Sequence, residues 1–310
     1  MLKTIRKNSF VNFIIREPLR LFGEVSASLY GKITSRWPVS GDIVCHFDSD
    51  TFILHSKCDD GIASCFFYNN LYDESKDLRL FLAMAEHTDT VLDIGANTGL
   101  YSLLASKREP SSRIFSFEPY TTNADRFRKN IGLNGIKNVT LIQKAVGNNT
   151  SRLNFFVPED DRLTYVSSAN GEFSKGMYEE EIDWKSVEVE QVTIDSFVTE
   201  FNLKVGLLKI DVETYEMPVF EGMSNVLANH RPTILFESFI DSERISFFNK
   251  LASKNNYFIY AILNEGLLRL DTYMQPNEDG LNFILSPARL ENLFTSYKKL
   301  PSLAQELMMR

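Results

Sequence analysis

The sequence predicts an α/β fold built on a doubly wound, mostly parallel sheet. The first observation is the stretch 91–106, VLDIGANTGLYSLLAS, where a β-favouring run leads into a glycine turn and then into an apolar run with helical spacing. The second is the alternation that follows, because apolar runs at 113–119 and 139–146 flank a helical pattern at 121–131. Alternating strands and helices are typical of a parallel sheet covered by helices.

The glycine turn predicts a ligand site. Gly95 and Gly99 have no Cβ and take positive φ without strain, so a ligand can approach the backbone and face its N–H groups. Asp93 ends the strand, where its carboxylate can accept hydrogen bonds from a cationic or hydroxyl-bearing group, while the following helix N-terminus favours an anion. A zwitterion suits both features.

The spacing of this turn separates two classes of nucleotide-binding protein. Its pattern is D-x-G-x-N-x-G, without the third glycine of the dinucleotide fingerprint G-x-G-x-x-G, which disfavours an NAD-dependent enzyme. The sequence also has no phosphate-binding P-loop, so nothing supports a kinase or NTPase. Glu118 ends the next predicted strand about 20 residues after the turn, where an acid can bind ribose hydroxyls.

An ordered set of motifs resembles the FkbM family of S-adenosylmethionine-dependent methyltransferases over roughly residues 72–287. The motifs are DIGANTG, FEP, Phe127, Asn130, Asn134, KAVGN, TIDSF and KIDVE. The resemblance implies a seven-stranded, Rossmann-like class I methyltransferase core that binds S-adenosyl-L-methionine. The last two strands are expected at 257–263 and 281–286, the second of them antiparallel.

The resemblance also implies which residues bind the cofactor. The residues expected to hold its amino-acid end are Asp93, Gly95, Asn97 and Gly99. Glu118 is expected to hold the ribose. Gln143 and Ala145 are expected at the adenine edge, because an amide offers a donor and an acceptor and alanine leaves room for the ring, although a plain strand end is the alternative. Glu74 is expected near the mouth of the site, with an ordinary capped helix as an equally good interpretation.

Three acids at the ends of neighbouring predicted strands are the candidate catalytic residues. Asp211 and Glu213 follow the apolar run that begins at residue 205, and Glu237 ends the run 232–238. Ligands of parallel α/β sheets meet the carboxyl ends of the strands, so these acids should face the transferred methyl group. Asp211 or Glu213 is the predicted general base. Lys209 lies inside the apolar strand and, if buried, needs one of these acids as a partner.

The exit from this strand departs from the family pattern. Thr214 and Tyr215 stand where the family usually has glycine and then a small residue, which leaves the turn geometry and the choice of acceptor open. Asp211 and Glu237 are spaced so that they can hold a divalent ion. Base catalysis by carboxylates alone is nevertheless favoured, and no metal is predicted.

The composition of the chain argues against several partners and kinds of site. The chain has 310 residues, 44% of them hydrophobic, with a net charge of −8, and this acidity argues against nucleic acid as a partner. The three cysteines lack C-x-x-C spacing, which favours reduced, buried thiols over a disulfide framework or zinc site. The four histidines lack H-E-x-x-H or i, i+4 pairing, so they give no support to a metal site.

Three regions are predicted. Residues 1–71 form an extension, with a basic helical arm at 1–36 and a β-hairpin at 43–55; residues 72–290 form the methyltransferase domain; and residues 291–310 form a helical tail. The arm has seven basic and two acidic side chains, a net charge of +5. Packing of this arm on the domain or on a second subunit, which would make a homo-oligomer, is favoured over docking on an anionic membrane or a lipid-linked acceptor.

The predicted activity is O-methylation of a hydroxyl. An insert at 158–185 is rich in acids and aromatics, which suits a loop over a sugar of a glycan, lipopolysaccharide or glycolipid as well as it suits a solvated surface loop. The alternatives are methylation of a small natural product and a non-catalytic, cofactor-binding scaffold in a glycan-assembly complex. The sequence has no run long enough to span a bilayer, so a cytoplasmic protein is expected, with peripheral contact at the inner face of the membrane as the alternative.

Overall fold

The structure is a computed structural model of the chain. It describes residues 14, 39–57, 61–68, 75–159, 167–170, 183–263, 266–274 and 281–290. Outside these ranges lie almost all of the predicted basic arm, the candidate cofactor residue Glu74, most of the insert and the predicted tail at 291–310. None of the helices within the described ranges is long and apolar enough to cross a bilayer.

Strands and helices alternate along most of the described chain. The strands are β1 (Ser40–Phe47), β2 (Asp50–Lys57), β3 (Thr90–Ile94), β4 (Arg113–Phe117), β5 (Val139–Ile142), β6 (Ala145–Val146), β7 (Ser151–Pro158), β8 (Trp184–Val192), β9 (Leu207–Ile210), β10 (Thr233–Glu237), β11 (Phe258–Leu263), β12 (Gly266–Leu270) and β13 (Asn282–Ser286). The helices are α1 (Gly61–Phe67), α2 (Ser75–Ala85), α3 (Leu100–Arg108), α4 (Thr121–Leu133), α5 (Ile194–Glu200), α6 (Glu216–Glu221), α7 (Ser224–Asn229) and α8 (Ser242–Asn255).

The main sheet has eight strands in the order β12-β11-β13-β10-β9-β3-β4-β5. Strands β5, β4, β3, β9 and β10 are mutually parallel, and β13 enters antiparallel to β10, as the sequence predicts. The sheet has one strand more than the predicted seven, because residues 266–270 fold back on β11 as an antiparallel edge strand. The class I architecture is otherwise the predicted one.

The chain reverses its direction of winding at β3. The strand β4 lies on one side of β3 and β9 on the other, so the loops that leave β3 and β9 diverge at their carboxyl ends and open a crevice. Every residue of β3 and β9 is buried, as expected for strands covered by helices on both faces. This switch point is where an α/β sheet binds its ligands.

The single strand predicted at 139–146 is two strands. Residues 139–142 pair with β4 in the main sheet, whereas Ala145 and Val146 pair with β8 in a separate sheet of order β6-β8-β7. At the break the N–H of Lys144 donates to the carbonyl of Ile142 at 2.9 Å, and the chain turns out of the main sheet there. The predicted antiparallel pair of β7 and β8 is present.

The predicted hairpin, β1 and β2, packs into the same hydrophobic cluster as α2 and α3. Two asparagines fix it by their side chains. Asn134, which follows the last residue of α4, exchanges two hydrogen bonds with the backbone of Ile53, at 2.9 and 2.7 Å. Asn130 of α4 accepts one from the N–H of His55 at 2.7 Å. The hairpin and α1 are therefore held against the main sheet. A domain boundary at residue 71 stays a prediction.

Candidate active site

A cavity of about 500 Å³ lies at the carboxyl ends of β3, β4, β9 and β10. The residues that follow these four strands form its walls, and side chains of α1 close it on one side. Candidate residues from the sequence that line it are Gly95, Asn97, Glu118, Ala145, Asp211, Glu213 and Glu237. The fold thus brings candidate cofactor-binding and catalytic residues, which are distant in sequence, to one cavity.

The turn after β3 has the backbone that its sequence predicts. Gly95, Asn97 and Gly99 have φ angles of 82°, 48° and 89°. A Cβ on Gly95 would lie 1.7 Å from the carbonyl oxygen of Asp211, and one on Gly99 would lie 2.0 Å from the ring of Phe127. Both glycines therefore permit close packing within the protein as well as positive φ.

The sequence predicts that the backbone N–H groups of this turn face a ligand. In the structure several of them donate to other groups of the protein instead. The amides of Gly95 and Ala96 donate to the carbonyl of Phe117 at 3.0 and 2.9 Å, and the amide of Asn97 donates to Glu118 at 3.0 Å. These donors are used to join the end of β3 to the end of β4. A ligand at this turn would meet a surface already fixed by the protein.

Glu118 is a buried acid on the cavity wall, only 4% exposed. Its carboxylate accepts hydrogen bonds from the N–H groups of Asn97 and Tyr120, at 3.0 and 2.9 Å. Burial raises the pKa of Glu118 to about 7, although these hydrogen bonds and the nearby guanidinium of Arg126 oppose the shift. The group can therefore change its charge near neutral pH.

Asp93 is not among the residues that line the cavity, and its contact with the cofactor stays a prediction. Its side chain is fully buried, and one carboxylate oxygen accepts a hydrogen bond from the hydroxyl of Ser102 on α3 at 2.6 Å. The other oxygen has no hydrogen-bond partner among the described residues. Burial raises the pKa of the Asp93 carboxyl, and the positive charge of Lys209 opposes this shift.

Asp211 is the first of the three candidate catalytic acids that line the cavity. Lys209 is buried and its ammonium donates to the Asp211 carboxylate at 2.8 Å, which confirms that the lysine has an acidic partner. The same ammonium lies 4.5 Å from the centre of the Tyr101 ring. Glu213 and Glu237 line the cavity together with Asp211, so all three candidate catalytic acids border it.

Backbone geometry after Asp211 is unusual for its residue types. Glu213 and Thr214 have φ angles of 50° and 77°, the left-handed region that favours glycine. The Thr214 amide donates to the Glu216 carboxylate at 2.9 Å, and Arg244 donates to the Thr214 carbonyl at 3.2 Å. Burial raises the pKa of Glu216 to about 7, against the effect of these hydrogen bonds and of Arg244. The chain thus keeps a turn suited to glycine without a glycine.

Two further candidates are not brought to the cavity wall. Gln143 is exposed, and its amide accepts a hydrogen bond from Arg128 at 2.6 Å and donates one to Thr121 at 2.9 Å. The side chain is therefore engaged outside the cavity, because the turn between β5 and β6 places it there, while Ala145 does reach the cavity. Gly99 packs on Phe127 behind the wall. Glu74 lies outside the described residues.

Several lining residues were not predicted from the sequence. They include Ile62, Cys65, Tyr101, Arg126 and Tyr215. Arg126 lies on α4, and no pattern in the sequence distinguishes it from the other basic residues of that helix. Ile62 and Cys65 belong to α1, far in sequence from the motifs, and no pattern in the sequence indicates that α1 reaches the site.

Among the residues that the structure describes, no group of three or more His, Cys, Asp or Glu side chains is arranged to hold a metal ion.

Comparisons with known proteins agree with this architecture. Residues 93–265 match the family described as the methyltransferase FkbM domain. Methyltransferase 1 of Beauveria bassiana is 30% identical over 149 residues, which cover 44% of this chain and 58% of that protein. Hexuronic acid methyltransferase AglP of Haloferax volcanii is 26% identical over 160 residues, covering 51% of this chain and 59% of that protein. The chain spans about three fifths of the length of the curated relatives it matches.

A solved structure of an FkbM methyltransferase from Methylobacillus flagellatus KT is 12% identical in sequence, with a TM-score of 0.43, and the match covers 72% of this chain and 54% of that one. The match at 93–265 extends over more than half of the 310 residues and contains the glycine turn, Glu118 and the acids of β9 and β10. The chain therefore belongs to the FkbM methyltransferase family.

Proposed function

We propose that the protein is an S-adenosyl-L-methionine-dependent O-methyltransferase that acts on a sugar hydroxyl. The observation that carries the proposal is the shared cavity, which is lined by the glycine turn and Glu118 as well as by Asp211, Glu213 and Glu237. The residues fit this cofactor, because Glu118 is a buried acceptor on the wall and the volume of about 500 Å³ is within the range of small-molecule sites. Membership of the FkbM family supports the same cofactor.

Three parts of the chain would hold the cofactor. Glu118 would accept hydrogen bonds from the ribose hydroxyls, the turn at Gly95 and Asn97 would border the amino-acid end, and Ala145 would leave space for the adenine ring. When bound, S-adenosyl-L-methionine supplies a methyl group made electrophilic by its positively charged sulfur. The protein must then orient the acceptor hydroxyl and take up its proton.

Glu213 is the favoured general base among the three acids. The Asp211 carboxylate already accepts a hydrogen bond from Lys209 at 2.8 Å, which fixes its orientation and makes it suited to positioning. Glu213 lies on the cavity wall at the turn that follows, where a carboxylate can receive the proton of a bound hydroxyl. Glu237, at the end of β10, is suited to orienting the acceptor by a hydrogen bond.

A sugar acceptor is supported by two observations. Ser167 and Ala169, in the insert between β7 and β8, line the cavity, so part of the insert borders the site. A relative over half of this chain is named a hexuronic acid methyltransferase. A hydroxyl of a small natural product is the alternative acceptor for the same acids.

The test begins with calorimetric titration of the full chain with S-adenosylhomocysteine and, separately, with NAD. Micromolar binding of the first compound alone, lost in Glu118→Ala, is the expected result. Methyl transfer to a panel of sugars, uronic acids and phenolic compounds then follows. We expect Glu213→Gln to lower kcat on the order of 100-fold with S-adenosylhomocysteine affinity unchanged, and Asp211→Asn and Glu237→Gln to be the matched comparisons.

Each other outcome contradicts a defined part of the proposal. Binding of NAD in place of S-adenosylhomocysteine overturns the cofactor, and binding without transfer to any acceptor indicates a scaffold. Transfer to phenolic compounds alone overturns the sugar acceptor. Full activity in Glu213→Gln overturns the assignment of the base.

A further inference from the structure

The turn at Glu213 and Thr214 is held by side chains from three separate elements. Two consecutive residues other than glycine have left-handed φ angles there, an arrangement that is unfavourable on its own and persists only where surrounding groups fix it. The Thr214 amide is bound by Glu216 of α6, and the Thr214 carbonyl by Arg244 of α8. The third contact comes from the insert, where the hydroxyl of Ser168 donates to the Glu213 carbonyl at 2.5 Å.

Ser168 is itself fixed in place. It is fully buried, and its N–H and carbonyl both pair with Phe156 on β7, at 3.0 and 2.8 Å. Its neighbours Ser167 and Ala169 line the cavity, whereas its own hydroxyl is bonded to the Glu213 backbone. One short segment therefore forms part of the cavity wall and contacts the turn that carries an acid of that cavity.

We propose that Ser168 is a positioning residue that aims Glu213 into the cavity and couples the insert to it. This inference rests on the proposed function, in which Glu213 is the base. An acceptor that contacts Ser167 and Ala169 would touch the two neighbours of Ser168, the residue that fixes the Glu213 backbone. The segment that would contact the acceptor is thus the segment that aligns the base, and the hydroxyl of Ser168 links it to Glu213.

Hydrogen exchange of the full chain without ligand tests the connection directly. Ser168→Ala removes the hydroxyl and little volume, and we expect exchange of the Thr214 amide to become about tenfold faster while α3 and α4 keep their protection. Ser196→Ala is the matched control, because its hydroxyl bonds the carbonyl of Thr193 on an exposed helix end. Equal exchange in Ser168→Ala and the wild type overturns the proposal.

A second variant distinguishes positioning from general stability. Glycine adopts a φ of 77° without strain, so Thr214→Gly should let the turn form with less help from its neighbours. In methyl transfer we expect Ser168→Ala to lower kcat on the order of 10- to 100-fold with unchanged S-adenosylhomocysteine affinity, and the double variant with Thr214→Gly to recover most of that loss. An unchanged kcat in Ser168→Ala, or a double variant as slow as the single one, overturns the proposal.

The two readouts separate this inference from the proposed function. If the wild type transfers no methyl group to any acceptor, the proposed function fails, and the exchange of the Thr214 amide still decides whether Ser168 fixes the turn. If the wild type is active and exchange is unaffected by Ser168→Ala, the inference alone fails. Arg244→Lys, which keeps the charge and loses the planar fork, should raise exchange of the same amide and gives an independent check.

Discussion

The carbonyl oxygen of Asp211 occupies the space where a side chain on Gly95 would begin, 1.7 Å from the position of its Cβ. The amide of Asp211 also donates to the carbonyl of Ile94 at 3.0 Å. The turn after β3 and the turn after β9 therefore pack backbone against backbone. This contact joins two of the turns that border the cavity.

Gly95→Ala is expected to be strongly destabilising. The added methyl group meets backbone atoms that cannot move aside, and alanine is strained at a φ of 82°, so we expect a loss of about 3 kcal/mol in the free energy of unfolding. Urea denaturation measures this loss. Gly132→Ala is the matched control, because the position on α4 has open space around it and alanine should stabilise the helix by up to about 1 kcal/mol. Similar stability of the two variants would contradict the packing argument.

The affinity for S-adenosylhomocysteine should depend on pH through Glu118. The pKa of this buried carboxyl is raised to about 7, so it is largely protonated at pH 6 and largely ionised at pH 8. Ribose hydroxyls donate best to the ionised form, and binding should therefore tighten by about tenfold between these pH values. Calorimetry in two buffers of different ionisation enthalpy should also detect proton release on binding below pH 7.

Glu118→Gln provides the control for this pH dependence. The amide cannot ionise, so its weaker binding should be the same at pH 6 and pH 8. A wild type whose affinity does not change over this range would show that Glu118 does not contact the ligand in its ionised form.

Local signals account for the parts of the fold that the sequence predicts correctly. The strand, glycine turn and helix at 91–106 depend on residues within one stretch, and Thr193 caps α5 by accepting a hydrogen bond from the Ser196 amide at 3.0 Å. The acidic partner of Lys209 is two residues away in sequence. In each case the interacting groups are close neighbours along the chain.

Contacts between distant residues account for the errors. Ala145 leaves the main sheet because its pairing partner is Gln191 on β8, which no local pattern reveals. Asp195, in the first turn of α5, accepts hydrogen bonds from the N–H groups of Asn225 and Val226 and so caps α7, which no local pattern reveals. The Asp93 carboxylate is likewise held by a residue of another element, Ser102 of α3, whose hydroxyl donates to it. A residue type at a strand end predicts that a site exists there, and packing decides which atoms face it.

Lys209 and Asp93 lie opposite each other in the register of β9 and β3, and both are buried. Lys209→Met keeps the volume and removes the positive charge, which leaves the Asp93 carboxyl without its compensating neighbour. We expect a loss of about 3 to 5 kcal/mol in the free energy of unfolding at pH 7. Asp211 also loses its ion-pair partner in this variant. Its side chain is 25% exposed and water can solvate it, so it should account for the smaller part of the lost stability.

A double-mutant cycle tests this assignment by urea denaturation. Asp93→Asn removes the buried negative charge, so in that background Lys209→Met should cost markedly less, with a coupling of about 1 to 3 kcal/mol. Additive losses would show that the two charges do not interact through the adjacent strands.

Asn130 joins the hairpin to the glycine turn, and its substitution should affect both. Its side chain accepts a hydrogen bond from the His55 amide at 2.7 Å and donates one to the carbonyl of Thr98 at 2.9 Å. Asn130→Ala leaves buried backbone groups unpaired, so we expect a loss of about 2 to 3 kcal/mol in stability by urea denaturation. Weaker binding of S-adenosylhomocysteine should accompany this loss, because Thr98 is part of the turn between Gly95 and Gly99.

Asn134→Ala separates the two effects. The Asn134 side chain exchanges two hydrogen bonds with Ile53 of the hairpin and donates to the Asn130 carbonyl. Loss of this side chain should therefore lower stability by a similar amount without disturbing the glycine turn. Affinity for S-adenosylhomocysteine, measured by calorimetry, should fall in Asn130→Ala and stay within about twofold of the wild type in Asn134→Ala. Equal affinities in the two variants would mean that the glycine turn keeps its geometry without Asn130, because its other hydrogen bonds, to Phe117 and Glu118, are sufficient.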